Sequence, residues 1–569
     1  MPDPTSITQI DLTPIPGKKY FSIDREWREE FIYFLMVDRF QDAIVRPVAT
    51  GTGRTAGVDT PDAFYGGTIA GITNNLAYIA GLGCTAIWLS PIFENNQNAY
   101  HGYDINNYLS IDPRFGTKQD LIDLVDAAHA FTNNGRPFPI RIILDVVINH
   151  SGDNWSYPGG FPFFFSNNQQ FEFGEFRRPD RPVPTELRNA DWYHRRGEMR
   201  DFDQAPENQF GDISILKDYA NDDDAVGSDV IHTLIKAHAY WIREADVDGF
   251  RVDAVKHMGE LACSRFCSNI REYAYGLGKR GFFLFGEVAA PSDELYNRYI
   301  GQNTSRIDGN NTVFFGLDSV LDFRLAEGVF ADDNNAPLRE VLTGTKGPQT
   351  LFNRLEAQRN RALNRGEIGR YLVTFVSNHD SFWQPTGRFP AHADDDQVIA
   401  AYGYLLCALG TPCIYYGDEQ GLAGAGGDNQ IRQALFDTTG NRSLLNTQCR
   451  IYQEITKIAA VMRVHEPLRF GRMYYRQISG NGQDFGFPFG STYTLAFSRI
   501  LYPHEVLVAY NVSNQTRHDS VVVDAILHPD SSTMSFLYGQ QGLVPVHTAA
   551  DGTRFIHLDL TPHQFVILR

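Results

Sequence analysis

Four short segments of the 569-residue chain hold side chains able to move a proton or attack a carbon centre. Asp145-Val146-Val147-Ile148-Asn149-His150 ends one strongly apolar run, and Gly249-Phe250-Arg251-Val252-Asp253-Ala254-Val255-Lys256-His257 ends another. Phe285-Gly286-Glu287-Val288 and Phe375-Val376-Ser377-Asn378-His379-Asp380 close two more. A carboxylate in an apolar run is costly unless it is paired or functional. Asp145 fits the paired case, as a partner that orients Arg251. Asp253, Glu287 and Asp380 are harder to dismiss, because they fall at the ends of their runs together with His150, His257 and His379. Two carboxylates plus a third acid match the cleavage of a glycosidic bond. One attacks the anomeric carbon; the other, its pKa raised, protonates the leaving oxygen and later activates water. A pair roughly 5–5.5 Å apart retains configuration through a covalent intermediate. No HExxH, GxSxG, Walker loop or GxGxxG competes for the assignment.

Bringing these groups together needs a scaffold whose strands end on one rim. Short β-branched or aromatic runs recur at 31–36, 85–89, 140–148, 249–254, 282–288, 313–323, 371–376 and 413–416. Each has the length of a strand buried on both faces. Helical patterns lie between several of them. The clearest starts at Ser228 or Asp229 as N-cap and ends at Ala245, with Ile231, Leu234, Ile235, His238, Trp241 and Ile242 on one face. The alternation predicts an α/β fold, a (β/α)8 TIM barrel formed by residues 1–150 and 218–465, with its chemistry at the C-terminal ends of the strands. Residues 151–217, rich in aromatics, Pro, Gly and Arg, read as a subdomain inserted after strand three, whose aromatic stretch from Phe161 to Phe176 is expected to contribute to the shape of the substrate subsites. Alternating runs within 466–569 predict a C-terminal antiparallel β-sandwich.

Composition narrows the partners. The net charge is −18, from 50 Lys and Arg against 68 Asp and Glu, with no basic stripe, so nucleic acid is not an expected partner. No apolar run reaches the ~18 residues of a membrane helix. The start, Met1-Pro2-Asp3-Pro4-Thr5-Ser6, lacks the pattern of a secretory leader, so a cytoplasmic location is expected, with a secreted mature form as the alternative. Six cysteines are too few for a disulfide scaffold, and Cys263 and Cys267 lack a second pair to complete a zinc site.

The four segments, in this order, resemble the α-amylase superfamily, glycoside hydrolase family 13. So do Gly83-Cys84-Thr85-Ala86-Ile87-Trp88-Leu89-Ser90-Pro91 and Gly410-Thr411-Pro412-Cys413-Ile414-Tyr415-Tyr416-Gly417-Asp418-Glu419. The resemblance covers the chain from about Phe31 onward. It implies that Asp253 is the nucleophile, that Arg251 keeps it ionised, and that Glu287 is the general acid/base. It implies that Asp380 bonds the sugar 2- and 3-hydroxyls, that His150 and His379 hold hydroxyls of the same sugar, and that Tyr103, in Tyr100-His101-Gly102-Tyr103-Asp104, offers a stacking face. Lys256-His257 resembles α-amylases and cyclodextrin glucanotransferases, which places both residues at the substrate and implies α-1,4-glucan or maltooligosaccharide as substrate.

The resemblance also implies one Ca2+ between barrel and insertion, held by Asn149, Asp218 and the backbone carbonyl of His257. Tyr219-Ala220 departs from the usual residues after that aspartate. A second calcium site is expected to be absent, because Gln41-Asp42-Ala43-Ile44-Val45-Arg46 and Thr68 supply too few oxygens. Only about thirty residues precede the first strand, so the dimerisation module of maltogenic-type relatives is expected to be absent, which favours a monomer. Hydrolysis with some transglycosylation is the leading reading. A glucanotransferase or a sucrose- or maltose-type isomerase on the same site stays open. A catalytically dead binding subunit fits less well, since all three acids are present.

Overall fold

The structure is a computed structural model that describes residues 3–177, 181–222, 224–289, 293–301, 304–305, 313–314, 316–327, 337–360, 371–380 and 387–569. The apolar runs become parallel strands β1 (Ile32–Leu35), β2 (Ala86–Leu89), β3 (Arg141–Val146), β4 (Gly249–Val252), β5 (Phe283–Gly286), β6 (Ser319–Val320), β7 (Val373–Thr374) and β8 (Thr411–Tyr415). Their hydrogen-bonded order is β6-β5-β4-β3-β2-β1-β8-β7, and a parallel bridge between Leu321 and Val373 joins the two ends into a barrel. Every residue of β1 to β5 is buried, as strands apolar on both faces require. Phe34 stacks on Trp88 at 3.6 Å, and Phe285 meets the same indole edge-on at 5.4 Å. Strands β2 and β5 are not neighbours, so the second contact crosses the barrel interior and fills it.

Two sequence expectations are corrected. The long helix, α1 (Ala225–Ala245), begins four to five residues earlier than expected, because Asp224 rather than Ser228 or Asp229 caps it by accepting from the Gly227 amide. Several cap-competent residues precede it (221–224), and side-chain type alone does not choose among them. The run 313–323 supplies only β6. Val313–Phe314 pairs antiparallel with Thr304–Ser305, and residue 315 lies outside the described residues. Gly316 separates the two pieces: a Cβ there would sit 2.0 Å from the Tyr299 carbonyl, so the chain needs glycine to pass.

The insertion leaves and returns through one small ladder, His150–Ser151 against Lys217–Asp218. Residues 178–180 of it lie outside the described residues. Its aromatics stack largely on one another, with Trp155 4.0 Å from Phe176 and 4.9 Å from Phe173. The C-terminal region forms one antiparallel sheet of nine strands, reached after helix α2 (Arg450–Val464) and a short helical turn, Glu466–Phe470. Its two-residue periodicity serves two cores. Leu495, Phe497, Val506, Val508, Tyr510, Phe565 and Ile567 join the apolar core of the barrel. The intervening Ala496, Leu507, Ala509, Val566 and Leu568 share a separate cluster with Val521, Ile556 and Leu558 from the other end of the sheet, so the two ends pack on each other. Arg499 Nη1 donates to the Cys407 carbonyl at 2.7 Å, and the Tyr510 hydroxyl donates to the Leu342 carbonyl at 2.9 Å, which fixes this unit to the barrel. No helix of the described residues is long and apolar enough to cross a membrane.

Candidate active site

Register places the first pair. Arg251 of β4 and Asp145 of β3 are cross-strand partners, and Arg251 Nη1 lies 2.9 Å from Asp145 Oδ1. The same Nη1 donates to Asp253 Oδ1, and Nη2 lies 3.0 Å from Glu287 Oε2. One buried guanidinium therefore holds three carboxylates, and its planar fork fixes where Asp253 and Glu287 point. Asp145 also accepts from Trp88 Nε1 at 3.0 Å and from the Tyr103 hydroxyl at 2.8 Å. Ala254, directly after Asp253, takes φ +51°, a left-handed conformation unfavourable for a residue with a Cβ. That turn aims its amide at Glu287 Oε2, 3.1 Å away.

Tyr103 arrives on the loop after β2. Gly102 before it has φ +91°, and a Cβ there would lie 2.2 Å from the Pro91 carbonyl, so glycine lets the loop press against the barrel. The Tyr103 ring lies nearly parallel to His379, with centroids 5.4 Å apart, and its hydroxyl is 2.8 Å from His379 Nε2. Asp380 is held from the far side by Arg432, whose Nη2 lies 3.0 Å from Oδ1 while its Nε donates to the His379 carbonyl at 2.8 Å. His257 Nδ1 donates to the Asn208 carbonyl at 2.8 Å. Lys256 Nζ bridges Asp203 Oδ1 at 2.8 Å and the Ala289 carbonyl at 2.9 Å.

These groups share one cavity of about 590 Å³. Tyr103, His150, Asp253, Lys256, His257, Glu287, His379 and Asp380 line it, and Arg251 stands behind the carboxylates. The wall contributed by the insertion is Arg200, Asp201, Phe202, Asp203, Ile213 and Leu216. The aromatic stretch 161–176, expected from sequence to shape this wall, is not part of it. Phe173 and Phe176 pack instead around Trp155 and against the barrel core, and Phe163 and Phe165 are exposed.

Burial sets the charge states. It pushes His150 down to about 3 and His257 to about 4, and with the nearby Arg432 and Arg251 cations it holds His379 well below its ordinary value. All three imidazoles are neutral, suited to hydroxyl groups. Burial raises Asp380 to about 7 against the pull of Arg432, and raises Asp145 to about 6 against that of Arg251. Burial, opposed by Arg251 but aided by the Glu287 charge, raises Asp253 well above the carboxylate range. Burial also raises Glu287, yet Arg251 and the Ala254 amide outweigh it and lower Glu287 from its ordinary value. The two carboxyls interact directly and titrate as a unit that retains one proton between them.

Sequence reasoning missed Arg432. It follows the short helix Asp428–Ile431 in a glycine-rich loop, where its one local signal is the i, i+4 spacing to Asp428, 3.2 Å away. It also missed His194, which lies against the expected metal ligands.

Asn149 and Asp218 do come together, with Asn149 Nδ2 3.1 Å from Asp218 Oδ1. The other oxygen of Asp218 faces His194 Nδ1 at 2.5 Å, and Asn149 Oδ1 is buried without a partner. Among the described residues no cluster of three or more His, Cys, Asp or Glu side chains is arranged to hold a metal. Burial raises Asp218 to about 7. His194 sits at about 9, because its bonds to Asp218 and Asp222 outweigh its own burial.

The family model for the α-amylase catalytic domain matches residues 34–457. An α-amylase of Streptomyces lividans is 28% identical over 546 residues, covering 83% of this chain and 55% of its own length. A cyclomaltodextrin glucanotransferase of Klebsiella oxytoca is 28% identical over 459 residues, covering 73% of this chain and 63% of its own. The chain thus spans 55–63% of the length of these curated relatives. The crystal structure of an α-amylase from Geobacillus thermoleovorans complexed with acarbose shares the fold, with TM-score 0.69, 24% identity, and coverage of 96% of this chain and 99% of that one. With its catalytic-domain model matched over residues 34–457 of a closed eight-stranded barrel, the chain belongs to the α-amylase family, glycoside hydrolase family 13.

Proposed function

We propose that the chain is a retaining glycosidase that cleaves α-1,4-glucosidic bonds of starch or maltooligosaccharides. The observation that carries this reading is the single Arg251 guanidinium bonded to both Asp253 and Glu287 at the wall of the cavity. In the first step an Asp253 carboxylate oxygen attacks the anomeric carbon. Glu287 gives its proton to the glycosidic oxygen, the bond from that oxygen to the anomeric carbon breaks, and the leaving sugar departs as an alcohol. For this the one proton of the pair sits on Glu287 when substrate is bound, and Arg251 stabilises ionised Asp253. In the second step a water loses a proton to Glu287 as its oxygen attacks the same carbon and releases Asp253. Asp380 accepts hydrogen bonds from two sugar hydroxyls, neutral His150 and His379 bond others, and the Tyr103 ring packs against the sugar face. Lys256 and His257 line the side where the leaving chain extends, next to Asp203 and Phe202.

A sugar hydroxyl that replaces water in the second step turns the same enzyme into a transferase, the activity named for the Klebsiella relative. A timed product profile on soluble starch, maltoheptaose and maltose separates the two. Short linear sugars with few longer ones support the hydrolase; cyclic or elongated products move the reading to transfer. Rearranged disaccharides would indicate an isomerase. No product from any of the three would overturn the α-1,4-glucan assignment.

A further inference from the structure

The backbone of Asp380 is tied to a carboxyl that bond cleavage does not use. Its amide donates to Asn378 Oδ1 at 2.5 Å, closing an Asx-type turn at the end of β7. Asn378 Nδ2 in turn donates to Glu327 Oε1 at 2.8 Å. Glu327 follows the short helix Phe323–Ala326 after β6, and its amide donates to the Phe323 carbonyl at 2.9 Å. That helix is well seated. Asp322 caps it by accepting from the Leu325 amide at 3.1 Å, and the Asp322 amide donates to the Val373 carbonyl of β7 at 2.9 Å. Arg354 holds the Asp322 carboxylate through Nη1 at 3.0 Å and Nη2 at 2.7 Å. Glu327 is not one of the described residues that line the cavity, so its route to the site runs through Asn378.

An asparagine amide has an acceptor end and a donor end of nearly equal size, so shape alone does not hold it in one sense. The Glu327 oxygen accepts, which draws Nδ2 to it and leaves Oδ1 facing the Asp380 N–H. The reversed amide would set donor against donor at Asp380 and oxygen against oxygen at Glu327. The residues on either side of Asn378 are held by other elements: the Phe389 amide donates to Ser377 Oγ at 2.9 Å, and Arg432 Nε to the His379 carbonyl at 2.8 Å. Burial raises Glu327 to about 8 against the pull of Arg339, and the Asp380 charge adds to the rise. At neutral pH Oε1 then belongs to an uncharged acid, whose acceptor an amide oxygen can reproduce. We propose that Glu327 is a positioning residue for Asp380: it fixes the sense of the Asn378 amide, and through that amide the backbone from which the Asp380 carboxylate reaches the sugar. The inference rests on the proposed role of Asp380 as the acid that bonds two sugar hydroxyls.

The test compares the full chain with Glu327→Leu, close in size but without an acceptor, and with Glu327→Gln, which keeps one. Kinetics on soluble starch and maltoheptaose give kcat and KM, and crystal structures give the place of Asp380. Glu327→Leu is expected to lower kcat/KM about 10-fold or more, chiefly in kcat, and to move the Asp380 carboxylate by about 0.5 Å or more. Glu327→Gln is expected to recover most of that loss. Asn378→Ala cuts the link, so adding Glu327→Leu to it should cost little further. Glu327→Leu with wild-type kinetics, Glu327→Gln as impaired as Glu327→Leu, or additive losses in the double variant would each overturn the proposal. If the unaltered chain turns over neither substrate, the α-1,4-glucan reading fails, and the Glu327→Leu crystal structure decides this proposal alone: a displaced Asp380 supports it and an unmoved one overturns it. If Glu327→Leu does not fold, Asn378→Ala should show the 10-fold loss and Glu327→Gln little of it; any other pattern overturns the proposal.

Discussion

Arg432 Nη2 lies 3.0 Å from Asp380 Oδ1, so a side chain from the loop after the last barrel strand fixes an acid at the end of β7. Because Arg432 also donates to the backbone carbonyl of His379, it sets both the carboxylate and the chain that carries it. Arg432→Met is expected to let Asp380 drift and lower kcat/KM by about 10²-fold, the usual cost of a misplacement near 1 Å. Arg432→Lys, which keeps the charge but not the fork, should recover part of the loss. Steady-state kinetics of the two variants check this, and equal losses would place the effect outside the fork geometry.

Asp253→Asn is nearly isosteric and keeps a partner for Arg251. Turnover is expected to fall on the order of 10⁴-fold or more, with the circular dichroism spectrum unchanged. Ordinary activity in this variant would sink the proposed mechanism.

Tyr103 makes two separable contributions. Tyr103→Phe removes the hydroxyl that Asp145 and His379 share but keeps the ring. It should cost roughly 1–3 kcal/mol in kcat/KM through a less ordered carboxylate cluster, with KM little changed. Tyr103→Ala removes the stacking face as well and should raise KM in addition. A KM rise of the same size in both variants would contradict the split.

Asp380 carries a pH signature. Its native pKa of about 7, raised first by burial, stands above the unfolded value of roughly 3.9. Between about pH 4 and about 7 the native state holds the proton more tightly, so this group's contribution to stability is fully present below pH 4 and is lost as pH rises through 7. Asp380→Asn removes that dependence. The melting temperature of the variant minus that of the wild type is expected to climb from pH 4 to 7 and then level off; a difference that stays flat with pH would refute the raised pKa.

Ala254 is held at φ +51°. Ala254→Gly should stabilise the fold by about 0.5–1 kcal/mol by relieving the left-handed strain, while the amide still reaches Glu287. Chemical denaturation measures it, and a destabilised variant would show that the Ala254 methyl packs more favourably than its backbone is strained.

The barrel was legible because a strand buried on both faces must be apolar throughout, and eight such runs stand out at any reading frame. The acids at their ends stood out for the same reason, as charged residues in apolar surroundings. Arg251 could be paired with Asp145 from sequence, since strand order makes β3 and β4 neighbours. The start of α1 was not legible, because several consecutive residues can cap a helix and tertiary packing selects one. Neither was the inner wall of the cavity: the aromatics at 161–176 were the conspicuous candidates, yet the chain fold brings the segment from Arg200 to Leu216 to the cavity instead. Sequence by itself determined the family, the order of strands and the positions of three acids near strand ends, since local composition and spacing carry those. The tertiary structure alone decided that Arg432 reaches Asp380, about fifty residues away, and that His194 meets Asp218. Both are contacts between loops, where no periodicity links one residue to the other and only the folded geometry brings opposite charges within reach.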